Sequence, residues 1–288
     1  MARGRQVRDL FRNPGKSCPH LRPGECRQPT TGFTLIELLV VVGIIAILMS
    51  ILVPALQGTR RRARAVACQA RLRDWGLYFK MYLDDNQGRW FVDGPRWGIG
   101  WISATRSFWQ DKPALLICPR ATKLTIPSKE IREWGPAAYD SHLAAWLSTE
   151  GLAGVAYGFN GWLYPDSRYP REQWRTSDVR GAAAIPVFFD SIIHINVRPY
   201  HYAPPPEDDA LALKNDALAL KSDYHMCINR HNGGINMLFM DWSARKVGLK
   251  ELWTLKWHRD FDTAGKWTIA GGVKPEDWPL WMRKFKDY

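Results

Sequence analysis

Gly32-Phe33-Thr34-Leu35-Ile36-Glu37-Leu38-Leu39-Val40-Val41-Val42 is the stretch that decides the fold. A glycine is followed at once by an apolar run, and five residues after the glycine the run carries one carboxylate, Glu37. From Phe33 to Val53 the only strongly polar side chain is Glu37. Those 21 residues suffice to cross the roughly 30 Å hydrocarbon core of a bilayer as a helix. A charge at that depth is costly and persists where it has a task or a partner. Glu37 therefore needs an explanation that a plain anchor does not supply.

Upstream of the run the chain is polar. Residues 1–32 carry Pro14, Pro19, Pro23 and Pro29, with no apolar segment before Gly32. An ordinary secretory signal has its apolar core ahead of the cut and loses it; here the apolar segment follows Gly32. Arg3, Arg5, Arg8, Arg12, Lys16, Arg22 and Arg27 against Asp9 and Glu25 give this leader +5 of the chain's net +12. A basic leader of this kind stays on the cytoplasmic side. Arg60, Arg61, Arg62, Arg64, Arg71 and Arg73 flank the other end of the span, so charge bias alone does not decide orientation. The remaining +7 is too dispersed outside that arginine stretch to imply a nucleic-acid partner, and a solvated basic surface accounts for it.

These residues carry a family resemblance. The ordered motif from Gly32 to Val42 resembles the processing site of type IV prepilins and type II secretion pseudopilins. The resemblance implies that a prepilin peptidase cuts between Gly32 and Phe33 and N-methylates Phe33. It makes Glu37 mature residue 5, which in the family pairs with the terminal amine of a neighbouring subunit. Pro54 falls where family helices commonly carry a proline, which removes one backbone hydrogen bond and permits a kink. Met81-Tyr82-Leu83-Asp84-Asp85-Asn86 is similar to a helix end in the pseudopilin-like proteins of planctomycete and lentisphaeral bacteria. That group often carries a C-terminal His, nine residues, then Asp-Gly; here His231 and Asp241 have that spacing, but Trp242 stands in place of glycine. A glycine eases a turn with positive φ, so its absence predicts a different turn or a longer loop.

Downstream, Ala63, Val66, Ala67, Ala70, Leu72, Leu77, Phe79, Met81 and Leu83 recur at three- and four-residue spacing. Together with the apolar run they predict one helix from about Phe33 to Leu83, bent near Pro54. Ser141–Ser148 reads as a short helix. Ile185–Asp190 and Ile192–Val197 read as strands. Residues 204–223 read as a surface loop bearing a short helix. Ile235–Met240 and Arg245–Leu249 read as a hairpin turned by Asp241-Trp242-Ser243. The predicted architecture is α+β: a cleaved leader (1–32), a long N-terminal helix (33–83, with 33–53 transmembrane) and an antiparallel-sheet head (84–288).

Five cysteines are present, Cys18 and Cys26 in the leader. In an oxidising compartment the other three allow one bridge and one free thiol. Cys68 with Cys118 is the preferred pair; three reduced, buried thiols are the alternative. Spacing gives no zinc signature and no cofactor motif. His231 and Asp241, joined by Asp190, His194, His201 or His225, offer ligand or catalytic chemistry, but flanking a hairpin they are better read as bonding its backbone. Asp84, Asp85 and Asn86 are read as a solvated helix end rather than a calcium site.

The expectation is a pilin-like structural subunit without catalytic activity. It sits in the inner membrane with its head periplasmic or extracellular, and its partners are the prepilin peptidase and other pilin or pseudopilin subunits. Fifteen tryptophans raise a rival, a membrane-tethered module binding polysaccharide or envelope. It predicts aromatic side chains clustered in an exposed patch. A third reading, an enzyme, predicts His231 and Asp241 converging in a pocket.

Overall fold

A computed structural model describes residues 34–92, 100–121, 157–191, 196–209 and 224–288. Gly32, Phe33, the predicted helix at Ser141–Ser148, residues 192–195 of the second predicted strand and residues 210–223 of the surface loop lie outside the described residues. The chain divides into two units, the first ending at Pro54 and the second running Ala55–Tyr288.

Helix α1 spans Leu35–Asp85 and contains Pro54. In the first unit its apolar side chains, from Leu35 to Val53, are exposed. The helix is long and apolar enough to cross a membrane. At its far end the left-handed residues Gln87 (φ 58°) and Gly88 (φ 71°) stop it. The Gly88 N–H donates to the Leu83 carbonyl at 2.7 Å, satisfying one of the groups a helix end leaves open.

In the second unit, α1 buries Cys68, Leu72, Trp75, Gly76, Phe79 and Leu83, one stripe at helical spacing. The predicted stripe differs: Val66, Leu77 and Met81 are exposed. Arginines interrupt the pattern, and small Cys68 and Gly76 carry little hydrophobic signal. Gly76 sits in the stripe because the sheet comes close; a Cβ there would lie 3.0 Å from Leu238 Cδ1.

Two short helices follow, α2 (Gly100–Ala104) and α3 (Arg106–Trp109), then a 3₁₀ turn at Pro113–Leu116. The sheet has five strands: β1 (Tyr157–Asn160), β2 (Pro186–Asp190), β3 (Asn196–Val197), β4 (Gly234–Phe239) and β5 (Ala244–Gly248). Their order is β3-β1-β2-β4-β5. Neighbours are antiparallel except β3, which runs parallel to β1. The helix–sheet head is thus α+β with a mixed sheet.

Strands β1, β2 and β4 are buried at every position, which is why β4 reads as a near-continuous apolar run. On one face Phe188 meets Trp75, Phe79, Trp101 and Tyr157. On the other, Phe189 meets Trp257 from the C-terminal tail at 5.2 Å. The tail beyond β5 consists of turns and 3₁₀ segments, Lys250–Thr254 and Pro275–Asp277, and its Trp253, Trp257, Trp267 and Trp278 are buried. Among the described residues no tryptophan is exposed.

The β4–β5 hairpin corrects an expectation. The Trp242 N–H donates to the Phe239 carbonyl and the Phe239 N–H to the Ser243 carbonyl, both at 2.9 Å. Trp242 itself has φ 66°. The turn keeps the left-handed position that a glycine serves, with a tryptophan in it, and is a three-residue loop rather than a longer one. Contact with Trp90 (6.3 Å between ring centroids) helps hold a conformation disfavoured for a bulky side chain.

Candidate functional site

Two polar constellations stand out, one in each unit. In the first, Thr34 and Glu37 open α1. The Glu37 N–H donates to Thr34 Oγ1 at 3.3 Å. Glu37 Oε2 accepts from the Thr34 N–H at 2.8 Å and from its hydroxyl at 2.7 Å. This is a reciprocal capping box, legible in the Thr-x-x-Glu spacing. The carboxylate also lies where the helix dipole favours an anion. Pro54, further along, lacks the N–H that the Ser50 carbonyl would otherwise accept from.

The second constellation is in the head. Cys68 comes from α1, Cys118 from the segment after the 3₁₀ turn, Asp190 from the end of β2, and His231 from the turn before β4. All four are buried, and one ligand-type atom from each lies within 4.8 Å of every other. The two cysteines proposed as a pair are thereby brought together as free thiols. Cys227 is also buried and free, and lies outside the group.

Asp190 is fully buried and organises its surroundings. Its Oδ2 is 2.9 Å from His231 Nε2 and accepts from the Asn236 N–H at 2.8 Å. Its Oδ1 accepts from Arg230 Nη1 at 3.3 Å. Burial alone raises a carboxyl pKa, but the His231 hydrogen bond and the Arg230 charge outweigh it and hold Asp190 below the usual range. Burial likewise opposes a charged imidazole, yet the Asp190 and Cys118 hydrogen bonds prevail and push His231 up to about 9. Burial pushes the Cys118 thiol up, with Cys68 and Asp190 adding to the effect. Asn236 ties this centre to α1: its side chain accepts from Gln69 Nε2 and donates to the Ala65 carbonyl, both at 3.1 Å.

The structure joins His231 to Asp190, not to Asp241. Asp241 is exposed and caps its own turn, accepting from the Ser243 N–H at 3.0 Å and hydroxyl at 2.6 Å. His194 lies outside the described residues. His201 stands elsewhere, 6.3 Å from His258 between ring centroids. Asp84 pairs with Lys80 at 2.9 Å as an exposed helix-end ion pair.

A family profile described as the prokaryotic N-terminal methylation motif matches residues 28–53. In this segment the chain is similar to type IV prepilins. Over 55 residues it is 49% identical to the type IV wide pilus major component PilA4 of Thermus thermophilus. That match covers 19% of this chain and 42% of PilA4, so the chain spans less than half the length of that relative. No solved structure matches the chain. The motif match ends at residue 53, ahead of the head and its buried thiol–carboxylate–imidazole group.

Proposed function

We propose that this chain is a pilin-like structural subunit. A prepilin peptidase cuts it between Gly32 and Phe33 and N-methylates Phe33, and the mature chain assembles with other pilin or pseudopilin subunits. The observation that carries this reading is the methylation motif lying on the exposed apolar stretch Leu35–Val53, whose single carboxylate is Glu37. Before assembly the inner membrane holds the helix, with the head on the periplasmic or extracellular side. Thr34 gives the carboxylate local hydrogen bonds there, which makes it tolerable in lipid. Docking against a neighbour's terminal amine then supplies a cation. Pro54 softens the helix for packing into the filament core. PilA4 is, by its name, a component of a wide pilus, which favours a filament over a secretion pseudopilus.

The membrane-tethered binding module is the weaker reading, since the described tryptophans serve as core. The test is the N-terminus of the membrane-associated protein from its native host, read by mass spectrometry. A chain starting at N-methyl-Phe33 supports the proposal. An intact leader in a host with active prepilin peptidase overturns it.

A further inference from the structure

Cys68, Cys118, Asp190 and His231 form a closed, mixed sulfur–nitrogen–oxygen group inside the head. We propose that this group is a structural metal site for a tetrahedral divalent ion of the zinc class, bound by Cys68 Sγ, Cys118 Sγ, His231 Nε2 and one oxygen of Asp190.

Geometry is the first argument. Ligand bonds of about 2.0–2.3 Å place the corners of a tetrahedron roughly 3.3–3.8 Å apart. Here Cys118 Sγ lies 3.4 Å from His231 Nε2. Cys68 Sγ lies 3.8 Å from each Asp190 oxygen, and His231 Nε2 lies 2.9 Å from Asp190 Oδ2. Adjustments of a few tenths of an ångström bring these to the edges of a coordination tetrahedron. No ligand position faces solvent, which is the mark of a structural rather than a catalytic ion.

The second argument is hydrogen-bond arithmetic. An imidazole nitrogen offers either one N–H or one lone pair. His231 Nε2 lies at once 2.9 Å from Asp190 Oδ2, 3.4 Å from Cys118 Sγ and 3.3 Å from Asn236 Nδ2, the last already donating to the Ala65 carbonyl. A single N–H or a single lone pair fully serves only one of the carboxylate and the thiol. A metal ion takes the lone pair and draws in the carboxylate and both sulfurs as co-ligands.

Charge is the third. Two thiolates and one carboxylate against a dication leave −1, and the buried Arg230 guanidinium, 3.3 Å from Asp190 Oδ1, brings the site to neutrality. Binding releases the two thiol protons and any proton held by the imidazole. Two outer partners are placed, the Asn236 N–H on Asp190 Oδ2 and the Tyr157 hydroxyl 3.3 Å from Cys68 Sγ, able to donate to a thiolate, while His231 Nδ1 has no partner among the described residues. Such an ion would staple α1, the segment at Cys118, β2 and the β4 turn together.

The test is cobalt substitution in the full chain carrying Cys18→Ser and Cys26→Ser, purified in detergent with a reductant, stripped with a chelator and titrated with Co²⁺. The expected result is one Co²⁺ per chain, with a thiolate-to-cobalt charge-transfer band and the visible bands of tetrahedral cobalt. Zn²⁺ displaces it. Cys68→Ser and Cys118→Ser each lose most of the charge-transfer band, His231→Gln weakens binding at least tenfold, and Cys227→Ser leaves the spectrum unchanged. Near-ultraviolet circular dichroism of the tryptophan-rich head checks that each variant is folded. No Co²⁺ uptake by the folded parent overturns the proposal. So does a Cys68–Cys118 disulfide in protein isolated without reductant, read as a linked peptide pair by mass spectrometry.

Discussion

Glu37 accepts two hydrogen bonds from Thr34, from its backbone N–H at 2.8 Å and its hydroxyl at 2.7 Å. The carboxylate proposed to meet a neighbour's amine is therefore engaged within its own subunit first, and the two roles separate by mutation. Glu37→Ala removes both and should abolish filament or pseudopilus incorporation, leaving the head folded. Thr34→Val removes only the hydroxyl and should still assemble. The sheared-filament fraction, probed for this chain, checks both; normal incorporation of Glu37→Ala would contradict the assembly role.

Asp190 is the counter-charge for Arg230 and His231 in a site without solvent. Asp190→Asn leaves two cationic groups facing a neutral amide. Removing one member of a buried ion pair costs about 3–5 kcal/mol, and the head should lose that much in urea unfolding followed by tryptophan fluorescence. Asp241→Asn touches only an exposed turn and should stay within about 1 kcal/mol. Equal losses in the two variants would refute the account of the core.

Much of this was legible in sequence, and the reasons differ by element. Helix α1 was readable because the apolar run is long and the Asp-Asp-Asn-Gln-Gly stop is strong. Strands β2 and β4 were readable because strands covered on both faces become apolar runs, and β5 because it follows β4 across a short turn as its hairpin partner. The buried face of α1 was not, since small Cys68 and Gly76 on it carry little hydrophobic signal and exposed Val66, Leu77 and Met81 imitate the stripe. The four-residue cluster was hidden because Cys68, Cys118, Asp190 and His231 lie in four separate segments, with no short spacing to betray convergence. The left-handed Trp242 was hidden because a residue type argues against positive φ only until packing compensates.

Gly58 and Gly76 lie in the same helix and should respond oppositely. Nothing lies within 4 Å of a Cβ built at Gly58. Gly58→Ala should therefore stabilise the isolated subunit by about 0.5–1 kcal/mol through helix propensity alone. At Gly76 the added carbon meets Leu238 at 3.0 Å and Trp242 at 3.7 Å. Leu238 can shift slightly, so Gly76→Ala should be near neutral, while Gly76→Leu should cost about 1–3 kcal/mol by overpacking. Thermal unfolding midpoints of the three variants order them, and a stabilised Gly76→Leu would be incompatible with the close helix–sheet approach.

His258 sets an acid limit on the head. It is buried against Trp162 (4.7 Å) and Phe261 (5.3 Å), and neither ring nitrogen has a hydrogen-bond partner among the described residues. Burial, reinforced by His201, pushes its pKa down to about 4; Asp260 and Glu172 oppose this weakly. The folded value lies below the unfolded value of about 6.5, so the unfolded chain takes up the proton first. Stability is intact above about pH 6.5 and falls as the pH drops toward 4. The expected loss is on the order of 1–2 kcal/mol once solvent screening is allowed for. His258→Phe keeps the ring packing and removes the titration, so the difference between its urea-midpoint profile and the parent's, from pH 7 to pH 4.5, isolates this group. Parallel profiles would show that His258 does not carry the acid sensitivity.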